Sequence, residues 1–205
     1  MRRRKTVIVT GLIGSGKSAV CALLRERGIP VYDSDARTKR LYDSSPVLVE
    51  RLEAALGVGL RGEDGRLDRK ALAARIFSDS AARETLEGIV YPAVLEDFKR
   101  WRARQKGAPF VALESAVILS KPLFDGLADA VILVTAPEEV RLSRVRERDS
   151  LSEEAVRARM SAQRIPSGKV SVELPNDGTE EALRQAVDAV FFRKNSYICK
   201  ILEEE

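Results

Sequence analysis

Four short apolar runs punctuate a chain otherwise patterned for helices. Thr6-Val-Ile-Val-Thr10, Ile29 to Tyr32, Phe110-Val-Ala-Leu113 and Ala130-Val-Ile-Leu-Val134 are each bounded by glycine, proline or charge. Runs of this length and composition predict buried strands. Between the first two lies a glycine-rich turn and a helical pattern from Lys17 to about Arg27, stopped by Gly28, so the opening segment predicts a βαβ unit of a parallel sheet. From Ser34 to about Arg104 the pattern is helical, with Pro46 opening one helix and a polar, glycine-rich break at Gly57 to Gly65. After the fourth strand, Pro137-Glu-Glu139 opens an arginine-rich helix toward Arg148, and Ser152-Glu-Glu154 caps a second one ended by Pro166. Pro175-Asn-Asp-Gly178 is a turn, Thr179 caps a last amphipathic helix through about Phe192, and the segment 193–205 has weak pattern.

The turn after the first strand reads Gly11-Leu-Ile-Gly-Ser-Gly-Lys-Ser18. Its spacing is that of a phosphate-binding loop, in which consecutive backbone N–H groups curl around phosphate oxygens and side chains at the glycines would obstruct them. Gly11, Gly14, Ser15, Gly16, Lys17, Ser18 and Ala19 are therefore expected to bind ATP: Lys17 reaches the β and γ phosphates, and the Ser18 hydroxyl serves Mg²⁺. The helix that starts here aims its positive N-terminal end at the nucleotide. The loop alone leaves hydrolase, switch and kinase open.

Its neighbours carry the acceptor chemistry. Asp33-Ser-Asp35 lies at the carboxyl end of the second strand, the edge where open parallel sheets bind ligands. Asp33 there either takes the proton of an acceptor hydroxyl during in-line transfer or caps the following helix; Asp35 can hold acceptor groups or Mg²⁺-bound water. Glu114, ending the third strand, is either a carboxylate serving Mg²⁺ or a surface acid. Arg141, Arg144, Arg148, Arg159 and Arg164 concentrate in two consecutive helices that can fold over a triphosphate as a lid, with Arg141 and Arg159 as the expected phosphate contacts and Arg146 and Arg157 facing solvent.

Composition narrows the chemistry. The 205 residues are 44% hydrophobic, enough for one sizeable core with a small appended subdomain. There is no histidine, which excludes Ser-His and Cys-His catalysis and histidine-ligated metals. Cys21 and Cys199 lack the spacing of a zinc or redox pair, which leaves burial and a reduced, cytoplasmic protein as the expectation. A net charge of +4 suits anionic ligands without pointing to nucleic acid. The basic residues 2–5 read as a solvated lead-in to the first strand, and no run approaches the ~18 apolar residues of a membrane span, so no membrane association is expected.

Together these residues resemble the dephospho-coenzyme A kinase family. The loop Gly11 to Ser18 is similar to the family's loop, and Asp33-Ser-Asp35 to its Asp-Ala-Asp. Leu151-Ser-Glu-Glu154 with Arg159 and Gln163 is similar to its Leu-Ser-x-Glu and Arg-x-x-x-Gln lid, and Asn176-Asp-Gly178 to its Asn-x-Gly turn. The resemblance runs from about Thr6 to Phe192. It implies an α/β, three-layer P-loop NTPase fold with a central parallel sheet, nucleoside-kinase-like, with a helical acceptor domain and a lid. The expected bounds are a core at about 1–35, 107–138 and 168–193, an acceptor-binding subdomain at 36–106, a lid at 139–167 and a tail at 194–205.

It further implies transfer of the γ-phosphate of MgATP to the ribose 3′-hydroxyl of dephospho-CoA. Asp33, Lys17 and Arg141 are then catalytic, Arg141 and Arg159 contact the nucleotide, Asp33, Asp35 and Tyr91 bind the acceptor, and Ser18 and Glu114 serve Mg²⁺. The expected partners are ATP and dephospho-CoA, with a monomeric or weakly self-associating protein. Four departures stand out: Leu12 for a second glycine, Tyr91-Pro92 for His-Pro, Ser120 for a glutamate, and Lys169-Val-Ser-Val172 without the usual Ala-Asp pair. They keep two rivals open, another small-molecule or nucleotide kinase of this architecture and an ATP-binding pseudo-kinase.

Overall fold

The computed structural model of the chain describes residues 3–77 and 79–203. In order, the elements are β1 (Lys5–Thr10), α1 (Lys17–Glu26), β2 (Val31–Asp33), α2 (Ser34–Ser44), α3 (Pro46–Leu56), α4 (Arg69–Phe77), α5 (Ser80–Arg104), β3 (Phe110–Glu114), β4 (Ala130–Thr135), α6 (Glu138–Asp149), α7 (Glu153–Ser161), β5 (Val172–Pro175), α8 (Glu180–Phe191) and α9 (Tyr197–Glu203). They form two compact units. One runs to Asp33 and resumes at Arg102; the other is Ser34–Trp101.

The first unit is built on a five-stranded sheet of order β2-β3-β1-β4-β5, parallel throughout. Consecutive parallel strands need crossovers, and α1 supplies the first. Val7, Val9, Ala112, Ile132 and Val134 turn to one face, where they are buried with Val20, Cys21 and Leu24 of α1 and Leu183, Val187 and Phe191 of α8. Each valine, leucine, isoleucine or phenylalanine among them contributes about 1.5–3 kcal/mol when fully removed from water. Phe110 and Phe191 stack at 6.0 Å between centroids. On the other face Ile8 and Val131 line a cavity together with Ile118, Leu119 and Phe124, the last three carried on 3-10 turns after β3.

Three details differ from the sequence expectation. The second strand starts at Val31 rather than Ile29, because Pro30 has no N–H to pair; its carbonyl still accepts from Ala112 N at 2.9 Å. This places Asp33 inside the sheet as the last residue of β2. A fifth strand, Val172–Pro175, was not anticipated: it lies at the sheet edge, and only Leu174 of its four residues is buried, so it shows no apolar run. The weakly patterned tail contains α9, whose Ile198 and Ile201 are buried in the core.

The second unit is helical. Leu48, Val49, Leu52, Leu56, Leu60, Leu67, Leu72, Val90, Val94 and Phe98 are buried, and Ser45 caps α3 by accepting from Leu48 N at 3.3 Å. Gly57 ends α3 at φ 66°, the left-handed conformation that glycine adopts without strain. The polar break that follows turns back on itself through an antiparallel bridge between Arg61 and Leu67. In α5, Pro92 leaves the carbonyl of Gly88 without its helical donor, yet the helix continues. Among the described residues no helix is long and apolar enough to cross a membrane.

Candidate functional site

The loop 11–16 leaves β1 at the carboxyl edge of the sheet and leads directly into α1. Side chains of Ser45, Ser152 and Thr179 cap α3, α7 and α8, whereas α1 has no side-chain cap and no acid in its first turn. No side chain therefore competes with an anion for its positive dipole end. Lys17 Nζ curls back to donate to the carbonyls of Gly11 at 2.8 Å and Leu12 at 3.4 Å. Ala19 is exposed on the first turn, with its N–H on the Gly16 carbonyl at 3.0 Å.

Two loop glycines are required by close approach. A Cβ on Gly11 would lie 2.3 Å from Ser15 Oγ and 2.5 Å from the Val134 carbonyl. A Cβ on Gly14 would lie 2.6 Å from the Arg141 carbonyl and 2.9 Å from its Cα. The loop is therefore wedged between the end of β4 and the first turn of α6.

The Ser18 hydroxyl donates to Glu114 Oε1 at 2.6 Å. Glu114 is buried at the end of β3, paired in register with Val9 on one side and Asp33 on the other. Three strand ends thus line up Asp33, Glu114 and the start of the loop along one edge, as expected. The Cys21 thiol reports the local electrostatics. Burial first, then the Glu114 carboxylate that it hydrogen-bonds, and more weakly the charge of Asp33, push it well above the ordinary thiol value, against a small opposing effect of Arg25. Cys21 is a buried free thiol and Cys199 a half-buried one.

The helices α6 and α7 pack through Leu142, Val145, Val156 and Met160, with Ile13 of the loop against them. Arg157 binds Glu138 at 2.8 Å and Glu153 at 2.9 Å, and Arg146 meets Glu153 at 3.6 Å. These arginines hold the helical hairpin together on its exposed side. Arg141 is different: it is buried on α6, its Nε donates to the Ala136 carbonyl at 3.2 Å, and its Nη1 has no partner. Ser15 Oγ and Thr10 Oγ1 are also buried without partners. Arg141 and Ser15 line one cavity of about 350 Å³ together with Leu12, Thr135, Gln163 and Ile165. An unmade hydrogen bond on a buried group costs about 1–3 kcal/mol, so a polar partner for Arg141 Nη1 would relieve a standing cost. Arg159 does not line the cavity; its exposed guanidinium meets Asp149 at 3.4 Å.

In the helical unit, Asp35 is exposed in the first turn of α2. Tyr91 is half-buried on α5 and donates to Glu87 Oε1 at 3.3 Å. Burial first, and then the negative charge of Glu87, raise its phenol above the ordinary value.

Three residues named in the sequence make contacts that the sequence reading did not assign. Gln163 Oε1 accepts from Ile13 N at 2.6 Å, which joins the lid to the loop. Asn176 Nδ2 donates to the Ser15 carbonyl at 2.8 Å, and Arg144 Nη1 donates to the Asn176 carbonyl at 3.0 Å. Gln163 and Asn176 did appear in the motifs that carry the resemblance, but nothing local in the sequence names their partners.

Comparison with known proteins agrees with this geometry. The family model described as dephospho-CoA kinase matches residues 5–176. The chain is 46% identical to a dephospho-CoA kinase from Porphyromonas gingivalis, over 77% of each chain. Among solved structures it is similar to TT1252 from Thermus thermophilus, with a TM-score of 0.77 and 38% identity over 92% of this chain and 97% of that one. It is also similar to dephospho-CoA kinase from Campylobacter jejuni, with a TM-score of 0.55 and 25% identity over 91% and 95%. With a phosphate loop at the switch of a 2-3-1-4-5 sheet, aligned carboxylates beside it and this match over most of its length, the chain belongs to the dephospho-CoA kinase family.

Proposed function

We propose that this ATP-dependent phosphotransferase of the final step of CoA biosynthesis works with Asp33 as proton acceptor, the loop Gly11 to Ser18 as nucleotide cradle and Arg141 as the buried cation on the transferring group. The observation that carries this is Arg141 beside the loop, buried on α6 with its Nη1 desolvated and unpartnered. A cation fixed in such a place stabilises charge that develops on the phosphoryl oxygens without waiting for water to reorganise.

Phosphoryl transfer to an alcohol releases a proton at the attacking oxygen. Asp33, at the carboxyl end of β2, is the proposed acceptor of it and orients the ribose 3′-hydroxyl of dephospho-CoA. Lys17, now on loop carbonyls, is proposed to turn to the β and γ phosphates. Asp35 and Tyr91 are proposed to bind the acceptor, and Arg159 the nucleotide.

The pair Ser18 and Glu114 fits Mg²⁺: both offer hard oxygen atoms, 2.6 Å apart, and no group of three or more acids, cysteines or histidines among the described residues competes as a metal cage. Ser18 would hold the ion and Glu114 a water on it, and Mg²⁺ would neutralise phosphate charge. Ancestry within a cytosolic cofactor pathway supports a cytoplasmic location.

The test is Asp33→Asn. ATP-dependent phosphorylation of dephospho-CoA should fall about 10²–10⁴-fold, the usual worth of a general base, with ATP affinity retained. Turnover within threefold of the original would remove Asp33 from this role.

A further inference from the structure

We propose that Asn176 is a positioning residue for the phosphate loop: its side-chain amide fixes the Ser15–Gly16 peptide so that the Gly16 N–H faces nucleotide phosphate, and Arg144 braces Asn176 in that pose. The inference rests on reading Gly11 to Ser18 as the nucleotide loop and extends it to residues outside the motif.

No cis peptide bond occurs among the described residues, and in a trans peptide the C=O and the following N–H point in opposite directions. Asn176 Nδ2 holds the Ser15 carbonyl at 2.8 Å. Fixing that carbonyl on the Asn176 side fixes the Gly16 N–H on the opposite side. The loop depends on such orientations, because a nest binds an anion only when successive N–H groups converge.

Asn176 is itself well held. It is buried, its own N–H donates to the Thr135 carbonyl at the end of β4 at 2.8 Å, and Arg144 Nη1 donates to its carbonyl at 3.0 Å. Its amide lies so close to the loop that a Cβ on Gly16 would fall 2.0 Å from Nδ2. Gly16 is thus required twice, by its φ of 93° and by the space that the amide occupies. Arg144 sits on α6 three residues beyond Arg141, so the same helix that carries the cavity's cation also braces the loop.

The test is calorimetric titration of the whole protein with MgADP and separately with dephospho-CoA, alongside steady-state kinetics. Asn176→Ala and Asn176→Asp should each weaken ADP by about tenfold or more at pH 8, as expected when a buried carbonyl loses its donor and the loop is released. The KM for ATP should rise while dephospho-CoA affinity stays within twofold. Wild-type ADP affinity in either variant at pH 8 would overturn the proposal. So would equal losses for ADP and dephospho-CoA with a lowered melting temperature, which would make Asn176 a purely structural residue. Arg144→Ala provides a second route if the Asn176 variants do not fold: it should weaken ADP selectively, and an unchanged ADP affinity counts against the brace. Lys17→Ala is the reference; if it too binds ADP normally, the nucleotide-loop reading itself fails.

Discussion

Replacing Gly14 by alanine puts one methyl group where the loop meets α6. The added Cβ would stand 2.6 Å from the Arg141 carbonyl, 2.9 Å from its Cα and 3.0 Å from its Cβ, and residue 14 has φ of 80°. Two costs follow. Holding a residue with a side chain in left-handed conformation costs roughly 1–2 kcal/mol, and overpacking against backbone that cannot rotate away costs about 1–3 kcal/mol. The sum is about 2–5 kcal/mol. If the fold absorbs it, the melting temperature drops by about 4–20 °C, at some 2–4 °C per kcal/mol for a chain of this size. If α6 backs away instead, Arg141 moves with it, and the loss appears as a raised KM for ATP with little change in melting. Thermal unfolding by circular dichroism and initial rates against ATP concentration measure both channels. A Gly14→Ala protein with its melting temperature within about 1 °C of the original, by the same conversion, and an unchanged KM would refute the wedge of loop and α6.

Two further outcomes follow from the edge beside the loop. Because the folded Cys21 thiol titrates above its ordinary value near 9, its stabilising effect is full below that pH and is lost as pH rises through the folded value. Unfolding free energy should therefore fall above pH 9 by about 1.4 kcal/mol per pH unit more steeply than in Cys21→Ala; parallel pH profiles of the two proteins would contradict it. Glu114→Gln weakens the carboxylate that receives Ser18 at 2.6 Å and should shift the Mg²⁺ dependence of turnover about 10–100-fold to higher concentration, restorable by excess Mg²⁺. Superimposable Mg²⁺ titrations would remove Glu114 from the metal's surroundings.

The sequence by itself determined what is local. Gly11 to Ser18 could be read because a phosphate nest is made by consecutive backbone groups, and its glycines, lysine and serine must be neighbours in the chain. The strands β1, β3 and β4 are buried on both faces, so their residues form continuous apolar runs, and Asp33 and Glu114 could be placed on one edge because both end a strand of a parallel sheet. The helices opened by Pro46 and capped at Ser152 and Thr179 showed their starting points for the same reason.

The tertiary structure decided everything that depends on distant segments meeting. β5 is held by pairing with β4, and its short edge position gives it no apolar signature. The tail became a helix because Ile198 and Ile201 found the core. Within the arginine-rich helices α6 and α7 all guanidinium groups look alike in the chain, and only packing separated the buried Arg141 from Arg144, which donates to the Asn176 carbonyl, and from Arg157, which ties acids on the surface. Gly11, Gly14 and Gly16 could be recognised as a motif, but apart from Ser15 Oγ beside Gly11, the atoms that forbid their side chains, the carbonyls of Val134 and Arg141 and the amide of Asn176, lie more than a hundred residues away. Local spacing fixes which groups can bind a phosphate; only the folded chain fixes what holds those groups in place, because a backbone N–H is aimed by whatever grips the carbonyl on the other side of its peptide.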